Sequence, residues 1–456
     1  MSRPLVFLPL SDFAENCHSI RILLLSDFAE ISIHPQFSFP LPQPSTFTYF
    51  HDNKPDFVNF RLSSLPPWLT SKIFILALLA GLSIFASVQS ILRPPKTYTE
   101  GGPLYSCYNN YTIFKQSFYH LINHQDLYVT YPEEHWDLFK YTPTFSLLFG
   151  VFAILPDTLG LILWNLVNAL VLAFAVYSLP KLTSPQKGLI LLACAIEAMT
   201  AMQNEQSNGL IAGLLIFSFS LCEKGKFIWS AGCILLATFI KPFAIVALAL
   251  YLFYPRKVRH IDNGILWSVV FLILPLIVIS PGQLVHQYGG WLKVLAEDES
   301  QKFGLSVAGW LHTWFNFDPD KYFIVAGGAF LFLLPFVRHK MYQHYLFRLM
   351  GLASVLIWIV IFNHMAESPT FILALAGASI WFFSKKASVL DIVLFTLVIV
   401  FTSLCTTDIV PNDIKNTWFR PYVVKAVPCI LVWLKIIYDM MTLPKSAPET
   451  PVLQPS

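Results

Sequence analysis

Residues 143–155 read PTFSLLFGVFAIL, and the way they are read decides how the rest of the chain threads a membrane. The run is apolar but short, and Pro156 ends it. A helical crossing needs about 20 apolar residues. Apolar runs nearer that length begin at 72–92 (KIFILALLAGLSIFASVQSIL) and follow at 158–180, 188–202, 209–222, 227–240, 243–254, 263–281, 322–337, 349–362, 368–383, 388–404 and 422–441. Several are shorter than a full crossing, so neighbouring loops must enter protein-lined space. The loops between the runs sort by charge. One set carries Lys181 and Lys187; Lys224 and Lys226; Arg256, Lys257 and Arg259; Arg338, Lys340 and Arg348; Lys385 and Lys386. The positive-inside rule makes this set cytoplasmic. Twelve spans starting from an inner N-terminus place every one of these loops inside. A thirteenth span at 143–155 would invert all the later ones. The segment is therefore read as a re-entrant or interfacial helix on the outer face.

Composition supports this class. Hydrophobic residues make up 55% of the 456 residues and charged residues 12%, against about 25% charged in a soluble domain. Forty Phe and twelve Trp suit a lipid-facing surface with aromatic anchors. A net charge of +3 is too small to imply a nucleic-acid partner. The seven Cys show no paired spacing and no CxxC, so neither a disulfide framework nor a zinc site is signalled. A bond between Cys107 and Cys405, both outside the membrane, stays open. Residues 1–65 are Pro-rich and polar, repeat the pentad SDFAE, and lack a signal-peptide pattern. They read as a poorly ordered extension. The membrane domain then covers 66–443, with a disordered tail at 444–456.

The chemically interesting side chains gather on the outer face. Residues 111–125 place Ile113, Phe114, Phe118, Leu121 and Ile122 at helical spacing, opposite Lys115, Gln116 and His120. That pattern fits an interfacial helix, and equally one packed on the bundle. Asp126, Glu133, Glu134 and Asp137 follow, with His135. They can supply a general base, ligands for a divalent cation, or merely a solvated acidic loop. Lys241-Pro242 interrupts an apolar run. A lysine there is costly unless it meets an anion or water, and an ammonium at the outer boundary suits a lipid phosphate; snorkelling is the plainer alternative. The polar knot 203–208 (QNEQSN) can bind sugar hydroxyls through Glu205, Gln206 and Asn208, or cap the two helices it joins. His364 and Glu367, three apart, form a similar knot. A transporter would place such groups near the bilayer midplane. Their position at one surface suits an enzyme working on a lipid-borne substrate.

These segments, taken in order, resemble a known family. The order is Asn110-Tyr111-Thr112-Ile113-Phe114, Asp126-Leu127-Tyr128, Tyr141-Thr142-Pro143, Leu163-Trp164-Asn165, Glu205-Gln206-Ser207-Asn208 and Lys241-Pro242. It is similar to glycosyltransferase family 87, over most of residues 70–440. The resemblance implies an all-α GT-C-like bundle and inverting transfer of a hexose, mannose or a relative, from a polyprenyl-phosphate donor to a lipid or glycan. It implies a multi-pass protein, expected in a bacterial plasma membrane with its active site facing outward. Lys241, with Lys115 as a second cation, matches the need to hold the leaving phosphate. The family's base is commonly an acid at the start of the interfacial helix, where this chain has Asn110. The task then falls to Glu100, Asp126, Glu133, Glu134 or Asp137. Otherwise the chain works differently, as a flippase for lipid-linked glycans or as a non-catalytic assembly protein.

Overall fold

The computed structural model describes residues 66–297 and 303–444; the extension expected over 1–65 and the tail beyond 444 lie outside them. Every named element within the described residues is helical, and the single β-bridge joins Lys96 to Tyr105. In chain order the main helices are α1 (Lys72–Leu92), α2 (Asn109–Ile122), α3 (Pro143–Ala153), α4 (Asp157–Ser178), α5 (Ser184–Gln203), α6 (Asn208–Glu223), α7 (Phe227–Ile240), α8 (Lys257–Ile273) and α9 (Pro281–Glu297). They continue with α10 (Val307–Phe315), α11 (Lys321–Leu333), α12 (Tyr345–Ile361), α13 (Phe371–Phe383), α14 (Val389–Leu397) and α15 (Val427–Thr442). Each of the twelve apolar runs is occupied by a helix.

Lys72–Leu92, Asp157–Ser178 and Lys257–Ile277 are long and apolar enough to cross a membrane on their own. The shorter helices are stabilised by one another: α12 and α13 are buried along almost their whole length. At the periphery, α1 exposes Ile84, Phe85 and Val88, and α8 exposes Ile261, Ile265 and Val269. An apolar face left uncovered on a long helix is what lipid covers in a polytopic membrane protein. Small residues bring the helices close. A Cβ on Gly213 of α6 would lie 2.8 Å from both the Leu172 nitrogen and the Val171 carbonyl carbon of α4. These are backbone atoms and cannot swing aside. Gly213→Ala should therefore cost about 1–3 kcal/mol, read as a lowered unfolding midpoint in detergent; an unchanged midpoint would show that α4 and α6 can separate freely.

The segment 143–155 forms α3, whose 11 residues rise only about 16 Å. Thr142 caps it by accepting from the Phe145 amide at 3.2 Å, and Pro143 occupies its first turn. The Thr142 hydroxyl donates to the Phe239 carbonyl at the end of α7, and Thr144 donates to Phe271 O on α8 at 2.5 Å. Its other flank packs on α2, where Tyr119 donates to Ala153 O at 3.0 Å. The helix thus lies across one end of the bundle, beside α2, as the loop charges require.

Helix α2 starts two residues before the expected position and stops at Ile122, because His124 adopts a left-handed conformation with φ 61°. Ile113, Phe114 and Leu121 are buried as expected. His120, expected on the polar face, is buried too. It stacks on Tyr131 at 3.8 Å and pairs with Glu134 at 2.9 Å. Burial lowers its pKa against the opposing pull of Glu134.

The opposite end of the bundle carries the basic loops, and three of its cations are held in ion pairs. Arg348 clasps Glu223 with two hydrogen bonds of 2.6 and 2.7 Å. Lys385 and Lys435 share Asp391 and Asp439. The acids come from the helices rather than from the loops, which is why the loops read as almost purely basic. Cys107 and Cys405 are both free thiols.

The run expected at 243–254 is a 12-residue 3₁₀ helix, Pro242–Phe253. Its Tyr251 hydroxyl donates to Ser230 near the start of α7 at 3.0 Å, so the two segments run antiparallel with Lys241 at the turn between them. At a 3₁₀ rise of about 2.0 Å per residue the segment spans about 24 Å, where an α-helix of that length would reach about 18 Å. Tighter winding is how so short an apolar run extends through most of the bundle.

Candidate active site

The polar knot at 203–208 divides its labour residue by residue. Asn204 caps α5 by donating to Thr200 O at 2.8 Å. Glu205 takes φ 48°, the left-handed conformation that closes many helix C-termini. Its carbonyl accepts from the Trp164 indole at 2.7 Å, and its carboxylate accepts from Ser90 of α1 at 3.0 Å. Gln203 holds Gln89 of α1 at 2.5 Å. So anchored, the turn presents Gln206 and Asn208 to Lys241: the ammonium donates to Gln206 Oε1 and to Asn208 Oδ1, both at 3.0 Å. Tyr141 completes this group, its ring 5.6 Å beneath the ammonium and its hydroxyl donating to Gln206 at 3.2 Å. Both sequence readings of the knot hold at once, since one half caps and the other half faces the lysine.

Lys241 makes no ion pair among the described residues. The carboxylate whose charge acts on it is Glu367, from the turn 363–367, and that charge also acts on Tyr141. The turn is fixed by Leu305, whose amide donates to Ala366 O at 2.9 Å. His364 lies beside it, its carbonyl against Gly304. The structure therefore brings Gln206 and Asn208 onto Lys241 from two separated parts of the chain, with Glu367 near enough for its charge to act on the lysine. Asn110 stands on the far side of the same turn and donates to Asn204 O at 2.9 Å. The Asn208 side chain is buried, and its Nδ2 has no partner. A buried donor without an acceptor is costly, and one beside an unpaired ammonium is poised for a ligand oxygen.

The first-loop acids gather elsewhere. Glu133 and Glu134 line a cleft of about 240 Å³ with Tyr108, Thr112 and Asp157. Asp126 accepts from the Tyr128 amide at 2.9 Å and meets His286 at 3.3 Å. Asp137 lies 3.5 Å from Lys140. Glu100 is exposed. Lys115 is engaged by Asp157, so its charge is already answered. Among the described residues no group of three His, Cys, Asp or Glu could hold a metal ion.

Sequence reasoning missed Glu197 and Lys425. The Lys425 ammonium meets both Glu197 oxygens at 2.9 Å and donates to Ser368, next to Glu367, at 2.8 Å. Both residues stand within apolar runs, 188–202 and 422–441, and a charge inside such a run is itself a signal. Glu205 carries a further consequence. Burial pushes its carboxyl up to about 8 from an ordinary 4.5, against the Ser90 hydrogen bond and the charges of Lys96 and Arg93. The folded state therefore binds this proton more tightly than the unfolded chain does. The resulting stability is complete below about pH 4.5 and is lost as pH rises through about 8. Glu205→Gln should flatten that part of the pH dependence of the unfolding midpoint; an equal slope in both proteins would contradict the assignment.

One end of this helical membrane protein thus carries an ammonium held by two amide oxygens and a buried amide donor without a partner. The match to the model of glycosyltransferase family 87 covers residues 139–407, more than half of the chain, and the protein belongs to that family. Among solved structures it is similar to ArnT from Cupriavidus metallidurans bound to undecaprenyl phosphate. The identity is 12%, the TM-score 0.35, and the match covers 81% of this chain and 77% of that one. No curated protein matches the sequence significantly.

Proposed function

We propose that this membrane glycosyltransferase moves a hexose, mannose or a relative, from a polyprenyl-phosphate donor to a lipid or glycan acceptor. The transfer takes place at the Lys241 end of the bundle, which faces outward from a bacterial plasma membrane. The observation that carries the reading is the Lys241 ammonium itself. It is half-buried, held by two neutral amide oxygens, and answered by no ion pair among the described residues. Two of its three protons are in use, which leaves one for an anion. A prenyl phosphate leaving the anomeric carbon gains negative charge as the bond breaks, and a fixed cation at that point lowers the barrier. Asn208 Nδ2, buried and unpartnered, adds a donor for a phosphate or sugar oxygen. Gln206 and Glu367 border the space for sugar and acceptor, with His364 beside it, while Glu205, turned to Ser90 and sealed from solvent, anchors the turn. The loop charges support the orientation, because the opposite end holds the basic loops that the positive-inside rule assigns to the cytoplasm.

The test uses the full-length protein in proteoliposomes with a panel of labelled polyprenyl-phosphate hexoses. Release of polyprenyl phosphate together with glycosylated lipid or glycan is the expected result. Movement of labelled lipid between leaflets with no sugar transfer would overturn the reading in favour of a flippase.

A further inference from the structure

We propose that Glu367 is the general base of the transfer, deprotonating the acceptor hydroxyl in place of the acid that Asn110 does not supply; this rests on the glycosyltransferase reading above. An amide cannot take up the acceptor proton, and the Asn110 side chain is in any case committed to Asn204 O. Of the first-loop acids, Asp137 is engaged by Lys140, and Glu133 and Glu134 lie round the wrong face of α2. Thr112, which lines the cleft with Glu133 and Glu134, is two positions from Asn110, or about 200° round the helix. Asp126 is turned to His286. Glu205 and Glu197 are sealed from solvent, with Ser90 and Lys425 as partners.

Glu367 differs from all of these. Its side chain is exposed, and it holds no hydrogen bond or ion pair among the described residues. Its position is nevertheless fixed. The turn is tied through Ala366 to Leu305, Asn363 caps the Met365 amide at 3.0 Å, and the neighbouring Ser368 is held by Lys425 at 2.8 Å. Ser368, next to it, is tied through Lys425 to Glu197 on α5, about two turns before the 203–208 knot, and no ion pair joins Glu367 to Lys241 among the described residues, so a gap remains between carboxylate and ammonium. Inversion needs a base on one side of the anomeric carbon and the leaving group's cation on the other, with such a gap between them.

The step then balances. A Glu367 carboxylate oxygen takes the acceptor O–H proton as that oxygen bonds to the anomeric carbon. The carbon–oxygen bond to phosphate breaks, and its electron pair leaves on the prenyl phosphate beside Lys241. The protonated Glu367 afterwards releases the proton to solvent.

Glu367→Gln separates this role from a structural one. With a polyprenyl-phosphate mannose, or whichever hexose the wild type uses, and a hydroxyl acceptor, transfer should fall at least about 100-fold, the typical loss for a missing general base. Azide needs no deprotonation, so adding it should restore release of polyprenyl phosphate and yield a glycosyl azide of inverted configuration. Near-normal transfer to hydroxyl in the variant would overturn the proposal. So would a variant inert to both nucleophiles, or an azide-rescued loss in Glu133→Gln rather than in Glu367→Gln. A wild type that turns over no member of the donor panel would overturn the glycosyltransferase reading itself, and the base with it.

Discussion

Lys241→Ala should lower the proposed sugar transfer by about 100- to 1000-fold, the loss that follows removal of one preorganised group stabilising developing charge. The size of the effect comes from the setting. The ammonium stands over the Tyr141 ring, between Gln206 and Asn208, where water competes poorly for a phosphate. Lys115, the other cation that the sequence offers for the phosphate, is taken by Asp157. The loss should appear in kcat as well as in donor affinity, since phosphate charge is greater in the transition state than in the bound donor. The change also strips two amide oxygens of their partner, at about 1–3 kcal/mol, so the unfolding midpoint should be measured beside the rate. A folded variant that transfers at the wild-type rate would remove Lys241 from the phosphate role.

Lys425→Met should destabilise the protein by about 3–5 kcal/mol, because it leaves the Glu197 carboxylate buried without its countercharge. Glu197 is fully enclosed, and both of its oxygens rest on the one ammonium. Adding Glu197→Leu to Lys425→Met should recover most of that loss, since a buried pair replaced by apolar residues of similar size is often neutral. Denaturation of the two variants in one detergent decides the matter. If the single and double variants unfold alike, the pair is not coupled. The double variant also frees Ser368 from Lys425, so it tests whether stability and the setting of the neighbouring Glu367 can be separated.

Much of this fold is legible in the sequence because its two strongest determinants are additive along the chain. Hydropathy marks each helix, and loop charge fixes the alternation that makes 143–155 a surface helix rather than a span. The Lys241 group is partly legible for the same reason: a cation that breaks an apolar run announces itself. The convergence of 203–208 and 363–367 on that lysine is not, since it depends on how helices far apart in sequence pack end to end. The acidic cluster from Asp126 to Asp137 draws the eye in the sequence because acids close in the chain look like a site. Three-dimensional packing turns them to His120, Lys140 and His286 instead. Glu197 and Lys425 are hidden by averaging, since one charge hardly lowers the hydropathy of a long run.

The 3₁₀ helix that follows Lys241 also acts as a ruler. Its 12 residues fix how far the ammonium stands from the buried Arg348–Glu223 clasp at the opposite end, where Tyr254 donates to Glu223. Relaxing the segment to α winding would shorten it by about 6 Å, roughly the width of a sugar ring. The pitch of one backbone segment therefore sets the depth at which a donor phosphate would meet its cation.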